Sequence, residues 1–156
     1  MFNIIAGYVP EADVLDLFAG TGSLGIEALS RGARSAVFID RSPECFSVIK
    51  ENLAHTKFSD RAEVIMGNAM DLLDKLAGEG RSFDIIFLDP PYNKNFLAEA
   101  LNIIGSSGII RDNGIVAAER DVDDAVPEKA GQLRLVRNQK YGDTILSFYK
   151  KEGMSN

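Results

Sequence analysis

The sequence predicts an α/β protein of three layers, with a doubly wound, mostly parallel sheet that ends in a C-terminal antiparallel hairpin. Short apolar runs alternate with segments of helical periodicity between residues 13 and 119, a pattern typical of parallel strands joined by helical crossovers. The run Phe83–Leu88 is almost wholly apolar, as expected of a strand that is covered on both faces. After residue 132 two alternating runs follow each other directly, which predicts a hairpin.

The first half of the chain predicts three strands separated by two helices. The first helix runs from Ser23 to Arg31 and ends at Gly32, a residue that tolerates the positive φ of a helix C-terminus. The second begins at Ser42–Glu44, where a capping hydroxyl, a proline and an acid occupy the positions that favour a helix start. The predicted strands are Asp13–Phe18, Ser35–Asp40 and Ala62–Met66.

The second half predicts two more helices and the rest of the sheet. A short helix spans Met70–Leu76, and a longer one spans Phe96–Ile104. No internal repeat, linker or low-complexity segment interrupts the chain, so residues 1–156 are interpreted as one domain. The predicted strands are Phe83–Leu88, Gly114–Glu119, Leu133–Lys140 and Thr144–Lys150, with the hairpin turn at residues 141–143.

Composition limits the class of protein. The chain has 156 residues, of which 46% are hydrophobic and 26% charged, as in ordinary globular domains. It contains no apolar stretch near the ~18 residues of a membrane span, no signal peptide and a single cysteine, which together predict a cytoplasmic location. The formal net charge of -6 argues against a surface that binds nucleic acid everywhere, but it allows a local basic face.

A glycine-rich loop follows the first predicted strand. Gly20, Gly22 and Gly25 have the spacing of a dinucleotide fingerprint, although a tight turn packed closely on its neighbours would explain them equally well. Asp16, just before the loop, would repel a pyrophosphate and attract an ammonium group. Asp40, at the end of the second strand, could accept hydrogen bonds from ribose hydroxyls. Two acids around a glycine loop predict binding of S-adenosylmethionine (AdoMet), which carries no phosphate.

The third strand leads to Asn68, which lies where an adenine edge would be in such a fold. Its amide could accept from the adenine amine and donate to a ring nitrogen, but a simple turn asparagine is an equal alternative. The predicted cofactor-binding set is Asp16, Phe18, Ala19, Gly20, Thr21, Gly22, Asp40, Arg41, Asn68, Ala69 and Asp89.

The stretch Asp89-Pro90-Pro91-Tyr92 follows the fourth strand and should face the same crevice as the glycine loop. An exocyclic base amine is a weak nucleophile because its lone pair is delocalised into the ring. The Asp89 carboxylate and the Pro90 carbonyl could accept its two N–H groups and direct the lone pair outward, while the prolines stiffen the loop. Tyr92 could stack on a flipped base. The stretch therefore predicts methyl transfer to an amine, a reaction that requires no metal.

Three segments together resemble one family. Residues 16–33, residues 87–92 and residues 140–144 (Lys-Tyr-Gly-Asp-Thr) are similar to the RsmD-like guanine-N2 methyltransferases of 16S ribosomal RNA. The resemblance implies a Rossmann-like sheet of seven strands whose last strand is antiparallel, and an enzyme that acts on a guanine of small-subunit ribosomal RNA. It also implies that this RNA, or the small-subunit particle, is the partner, and we expect a monomer.

The chain departs from the family pattern at two places. Family members usually carry a basic segment that ends in a helix, and residues 1–5 resemble the last turn of that helix. We expect that segment to supply RNA-binding charge, with Arg111, Arg120 and Lys140 as alternative sources. Asn68 stands where the family often has aspartate, which bears on the adenine contact.

Other functions compete with this interpretation. The Asp-Pro-Pro-Tyr stretch alone also fits DNA adenine-N6 methyltransferases, but 156 residues leave little room for their target-recognition region. A non-catalytic module with the same fold is a second alternative. A nicotinamide-dependent oxidoreductase is disfavoured by the position of Asp16.

Overall fold

The computed structural model describes residues 1–91 and 96–152. Helices α1 and α2 span Phe2–Ile5 and Ser23–Ser30, and α3, α4 and α5 span Pro43–Thr56, Ala69–Gly78 and Phe96–Gly105. Short 3-10 turns lie at Ala6–Tyr8 and Ser59–Arg61. The strands are β1 (Asp13–Leu17), β2 (Ser35–Asp40), β3 (Ala62–Met66), β4 (Phe83–Leu88), β5 (Ile110–Asp121), β6 (Lys129–Ala130), β7 (Leu133–Tyr141) and β8 (Thr144–Lys151).

The strands form one mixed sheet in the order β3-β2-β1-β4-β5-β8-β7-β6. The first five strands in this order are parallel to one another. Strand β8 lies between β5 and β7 and is antiparallel to both. The predicted α/β class and the closing hairpin are therefore confirmed. Over the described residues the sheet has eight strands, so the expected number of seven is wrong. The additional strand, β6, has two residues, which is too short to produce an alternating pattern.

Strand β5 begins earlier than its sequence pattern indicates. Ile110 pairs with Phe83, and regular pairing resumes only where Ile115 meets Ile85. Asn113 between them has a positive φ of 67°. Gly114 is required there, because an added Cβ would lie 2.9 Å from the backbone oxygen of Asp84. This irregular start interrupts the alternation, and the sequence therefore predicts only the regular part of the strand.

Apolar residues form a core on each face of the sheet. One core joins the strands to α4 and α5, and the other joins them to α1, α2 and α3. Alternation along β1 sends Leu15 and Leu17 into the first core and Val14 into the second. Asp16 therefore points to the side of α2, although it belongs to a strand that is otherwise buried and apolar. Within the described residues, no helix has the length and apolar character needed to cross a membrane.

Candidate active site

A cavity of about 460 Å³ opens at the carboxyl ends of the parallel strands. This is the edge at which open α/β sheets bind ligands, because the loops after several strands converge there. Nine of the residues predicted from sequence line it: Phe18, Gly20, Asp40, Arg41, Asn68, Ala69, Asp89, Pro90 and Pro91. Four further residues, Ile39, Met70, Phe96 and Glu119, also line it and were not predicted.

The glycine loop is held in a conformation that most residues cannot adopt. Phe18, Gly20 and Gly22 have positive φ angles of 62°, 60° and 81°. Glycine tolerates this region without strain, which explains two of the three positions. The Ala19 N–H donates to the carbonyl of Ile39 at 2.9 Å and fixes the loop against β2. Ala19, Gly22 and Thr21 are absent from the cavity lining, so their predicted contact with a cofactor stays a prediction.

Asp40 joins the loops that follow β1 and β2. One carboxylate oxygen accepts from the Gly20 N–H at 2.9 Å, and the other accepts from the Ser42 N–H at 3.0 Å. These bonds hold the carboxylate in one orientation at the edge of the cavity. Each oxygen has two lone pairs, so the group can also accept from ligand hydroxyls, as the sequence predicts.

Asp16 lies beneath the loop and outside the cavity lining. It is only 1% exposed, and its Oδ2 accepts from the Gly25 N–H at 3.0 Å. Burial raises the pKa of this carboxyl to about 8, against the opposing effect of the Gly25 bond, and the nearby charges of Asp89 and Asp40 add to the rise. In this structure Asp16 therefore positions the first turn of α2, and its predicted contact with an ammonium group stays a prediction.

Replacing Gly25 by alanine is expected to lower the free energy of unfolding by about 1–3 kcal/mol, the usual cost of overpacking a core. An added Cβ would lie 2.4 Å from the Phe38 ring and 3.2 Å from the Asp16 carboxylate. Urea unfolding measures the effect. Gly78→Ala is the matched control, because nothing lies within 4 Å of a Cβ at that exposed helix end. Equal stability of the two variants would contradict the close packing at Gly25.

Asn68 caps α4 and lines the cavity at the same time. Its Oδ1 accepts from the Asp71 N–H at 3.0 Å, the usual bond of an N-cap residue. Ala69 and Met70, the first residues of the helix, lie beside it in the lining. Both sequence interpretations of Asn68 thus have a structural basis, because the capping bond occupies one of the two lone pairs of Oδ1 and leaves the other for an adenine contact.

Two aromatic rings form an apolar wall of the cavity. Phe18 and Phe96 are stacked with ring centroids 6.0 Å apart and an interplanar angle of 29°. Ile39 and Met70 extend this apolar surface. An apolar wall of this kind suits the flat face of a nucleobase. Phe96 could have been suspected from its position at the start of a helix that follows the Asp-Pro-Pro stretch.

Asp89 lies directly after β4 and beside Glu119 of β5. The register pairs Leu88 with Ala118, so the residues that follow them, Asp89 and Glu119, are also neighbours. Asp89 remains accessible from the cavity, whereas Pro90 behind it is buried. Loss of hydration, followed by the hydrogen bond and charge of Glu119, raises the pKa of Asp89 to about 7. Tyr92, the other predicted base contact, lies outside the described residues.

Comparisons with known proteins identify the family of this chain. A family model described as "Conserved hypothetical protein 95" matches residues 1–150. Ribosomal RNA small subunit methyltransferase D of Escherichia coli K12 is 33% identical over 152 residues, which cover 97% of this chain and 75% of that protein. The chain belongs to the RsmD-like family. The resemblance expected from the three sequence segments is thereby confirmed.

Two further similar proteins match nearly the whole of this chain. YlbH of Bacillus subtilis, named provisionally as an rRNA methyltransferase, is 38% identical and covers 98% of this chain and 83% of its own length. The solved structure of yhhF from Escherichia coli, named provisionally as a methyltransferase, superposes with a TM-score of 0.88 at 33% identity. That match covers 98% of this chain and 84% of the other.

Proposed function

We propose that this RsmD-like chain transfers a methyl group from AdoMet to the exocyclic N2 amine of a guanine in 16S ribosomal RNA. The observation that carries the proposal is the cavity itself, which brings the Asp89 carboxylate to the same space as Gly20 and Asp40. An acceptor for a base amine and a cradle for an aminoacyl nucleoside thus share one site. The names of the relatives from Escherichia coli and Bacillus subtilis support an rRNA substrate.

The residues present fit AdoMet. A Cβ added at Gly20 would meet nothing within 4 Å, so the space beside Gly20 is open to a ligand. Asp40 supplies acceptors for ribose hydroxyls, and Ile39, Met70 and Phe96 supply an apolar wall for adenine. Asp40, Asp89 and Glu119 all line the cavity, and these acids disfavour a pyrophosphate, which argues against a nicotinamide dinucleotide.

The chain's own residues prepare the amine for reaction. When bound, AdoMet supplies an electrophilic methyl group on a sulfonium centre. Asp89 and the Pro90 carbonyl accept the two N–H groups of the base amine and hold its lone pair in a fixed direction. After transfer the N2 atom carries a positive charge, and it loses one proton to the Asp89 carboxylate or to water. No step of this sequence requires a metal ion.

Of the three basic residues considered from sequence as RNA contacts, two are engaged within the fold. Arg111 donates to Asp84 at 2.7 Å and pairs with Asp13 at 2.8 Å, so it ties β5 to β1 and β4. Arg120 donates to Ser147 and to a backbone carbonyl. Lys140, on the exposed face of β7, is the best placed of the three for a phosphate. The proposed substrate implies a cytoplasmic protein, and we propose that residues 1–156 act as one domain and as a monomer.

We expect AdoMet to bind and NAD to show no binding in calorimetric titrations, because Asp40, Asp89 and Glu119 make the cavity unfavourable for a pyrophosphate. The second measurement is transfer from labelled AdoMet to unmethylated small-subunit particles, to ribosomal RNA and to DNA, followed by nucleoside analysis. N2-methylguanosine supports the proposal. N6-methyladenine in DNA, binding of NAD alone, or AdoMet binding without transfer to any of these substrates contradicts it.

A further inference from the structure

Glu119 belongs to the cavity but has no role in the reaction described so far. It lies near the end of β5, where the pairing of Leu88 with Ala118 brings it next to Asp89. The two carboxyl groups are close enough for Glu119 to raise the pKa of Asp89. Both line the cavity at the end formed by β4 and β5, whereas Asp40 and Arg41 line it after β2. The pair is therefore placed at the base end rather than at the cofactor loop.

Two adjacent carboxyl groups are an unfavourable arrangement unless something donates to them. The charged groups of neighbouring elements do not provide a donor within the described residues: Asp16 of β1 is a third acid, and Arg120 of β5 donates to Ser147 and Asp124 instead. Arg41 lines the cavity after β2, and no bond from it to the pair is present in the described structure. The pair thus offers several acceptor oxygens to a ligand.

Guanine presents the complementary pattern. Its N1–H and its N2 amine are adjacent donors on one edge, so two neighbouring carboxylates can accept from both. Adenine presents an amine next to N1, which is an acceptor and would face a carboxylate oxygen unfavourably. A site with one acceptor for an amine cannot tell these bases apart, but a site with two can.

We propose that Glu119 is a specificity-determining residue whose carboxylate accepts the N1–H of the target guanine while Asp89 accepts from the N2 amine. The inference rests on the proposed function and adds the group that selects guanine over a base without the N1 proton. It also explains how a loop that would equally suit an adenine amine is restricted to guanine by the neighbouring strand.

The test compares guanosine with 2-aminopurine riboside, which keeps the N2 amine but has an acceptor at N1. The position methylated by the wild-type protein is mapped first, and small-subunit RNA carrying either nucleoside at that position is then assembled into particles. Assays run at about pH 8.5, above the raised pKa of Asp89, so that the Asp89 carboxyl group is ionised. The wild type should prefer guanosine by roughly 10- to 100-fold in kcat/KM, the usual value of a hydrogen bond to a charged group.

Glu119→Gln should reduce this preference to within a few-fold, because its amide can donate to the N1 acceptor of 2-aminopurine. Glu51→Gln, at an exposed position of α3, is the matched control and should keep the preference of the wild type. AdoMet affinity by calorimetry should be the same in all three proteins. Thermal unfolding shows whether each variant is folded.

The outcomes separate this inference from the proposed function. If the wild type forms N2-methylguanosine but methylates guanosine and 2-aminopurine riboside equally well, Glu119 does not contact N1 and the inference is wrong. This outcome can be observed with the wild-type protein alone. If Glu119→Gln folds and keeps the full preference, the inference is also wrong. If the wild type methylates no guanine, the proposed function fails first.

Discussion

Replacing Asp89 by alanine is expected to lower the methyl-transfer rate roughly 10²- to 10³-fold, by analogy with the loss of one oriented group that stabilises a transition state. AdoMet affinity should stay nearly unchanged, because the proposed cofactor cradle is formed by Gly20, in the loop after β1, and by Asp40, at the end of β2. Single-turnover rates with saturating AdoMet, together with calorimetric titration of the cofactor, measure the two quantities separately.

Two further variants make this result specific. Asp74→Ala removes an exposed acid from α4 and should leave both quantities unchanged. Asp89→Asn keeps the size of the side chain and one acceptor oxygen but removes the charge. Its rate should therefore lie between those of the wild type and of Asp89→Ala. If Asp89→Ala lost cofactor affinity and turnover to the same extent, Asp89 would be a structural residue of the loop, and the proposed role would be wrong.

The second large effect is the dependence of kcat/KM on pH. In the proposed reaction the ionised carboxylate of Asp89 is the stronger acceptor for the base amine, and the pKa of Asp89 is raised to about 7 by loss of hydration and by Glu119. The protonated form therefore accumulates as pH falls, and kcat/KM should decrease about tenfold for each unit below about pH 7. A rate that stays constant down to about pH 5 would contradict this assignment.

Glu119→Gln should move this acid limb to lower pH, since the neutral amide removes the like charge beside Asp89. Among the described residues, Asp16 of β1 also lies near Asp89, and Asp40 and Arg41 line the same cavity. AdoMet affinity measured over the same pH range separates titration of Asp89 from titration at the cofactor end. An unchanged limb in the variant would show that Glu119 does not control the Asp89 carboxyl.

The regular elements could be predicted from sequence because their signals are local. Strand β4 has the predicted bounds, since an apolar run between a glycine-rich turn and an Asp-Pro step leaves few alternatives. The start of α3 follows from Ser42 and Pro43, and Ser42 does accept from the Cys45 N–H. In contrast, β6 and the first residues of β5 depend on pairing with distant strands, and nothing local in the sequence indicates such pairing.

The same distinction applies to the candidate site. The acid and prolines after β4 were predicted from their order in the chain, and they line the cavity. Glu119 was missed because it is adjacent to Asp89 only through the register of two strands, which the sequence does not show. Asp16 was placed on the ligand side from its position before the glycine loop, but alternation along β1 turns it toward Gly25.

The position of β8 has a consequence for the order of folding. This strand is made after β7, yet it lies between β5 and β7 and pairs Leu146 with Glu119. It also sends Phe148 into one core and Tyr149 into the other. During synthesis, the five parallel strands can associate first, but the edge that carries Glu119 stays open until β8 inserts. An incompletely synthesised chain could thus hold the cofactor loop in place and still lack a fixed base-recognition edge, so that competence to select a substrate is the last property to be acquired.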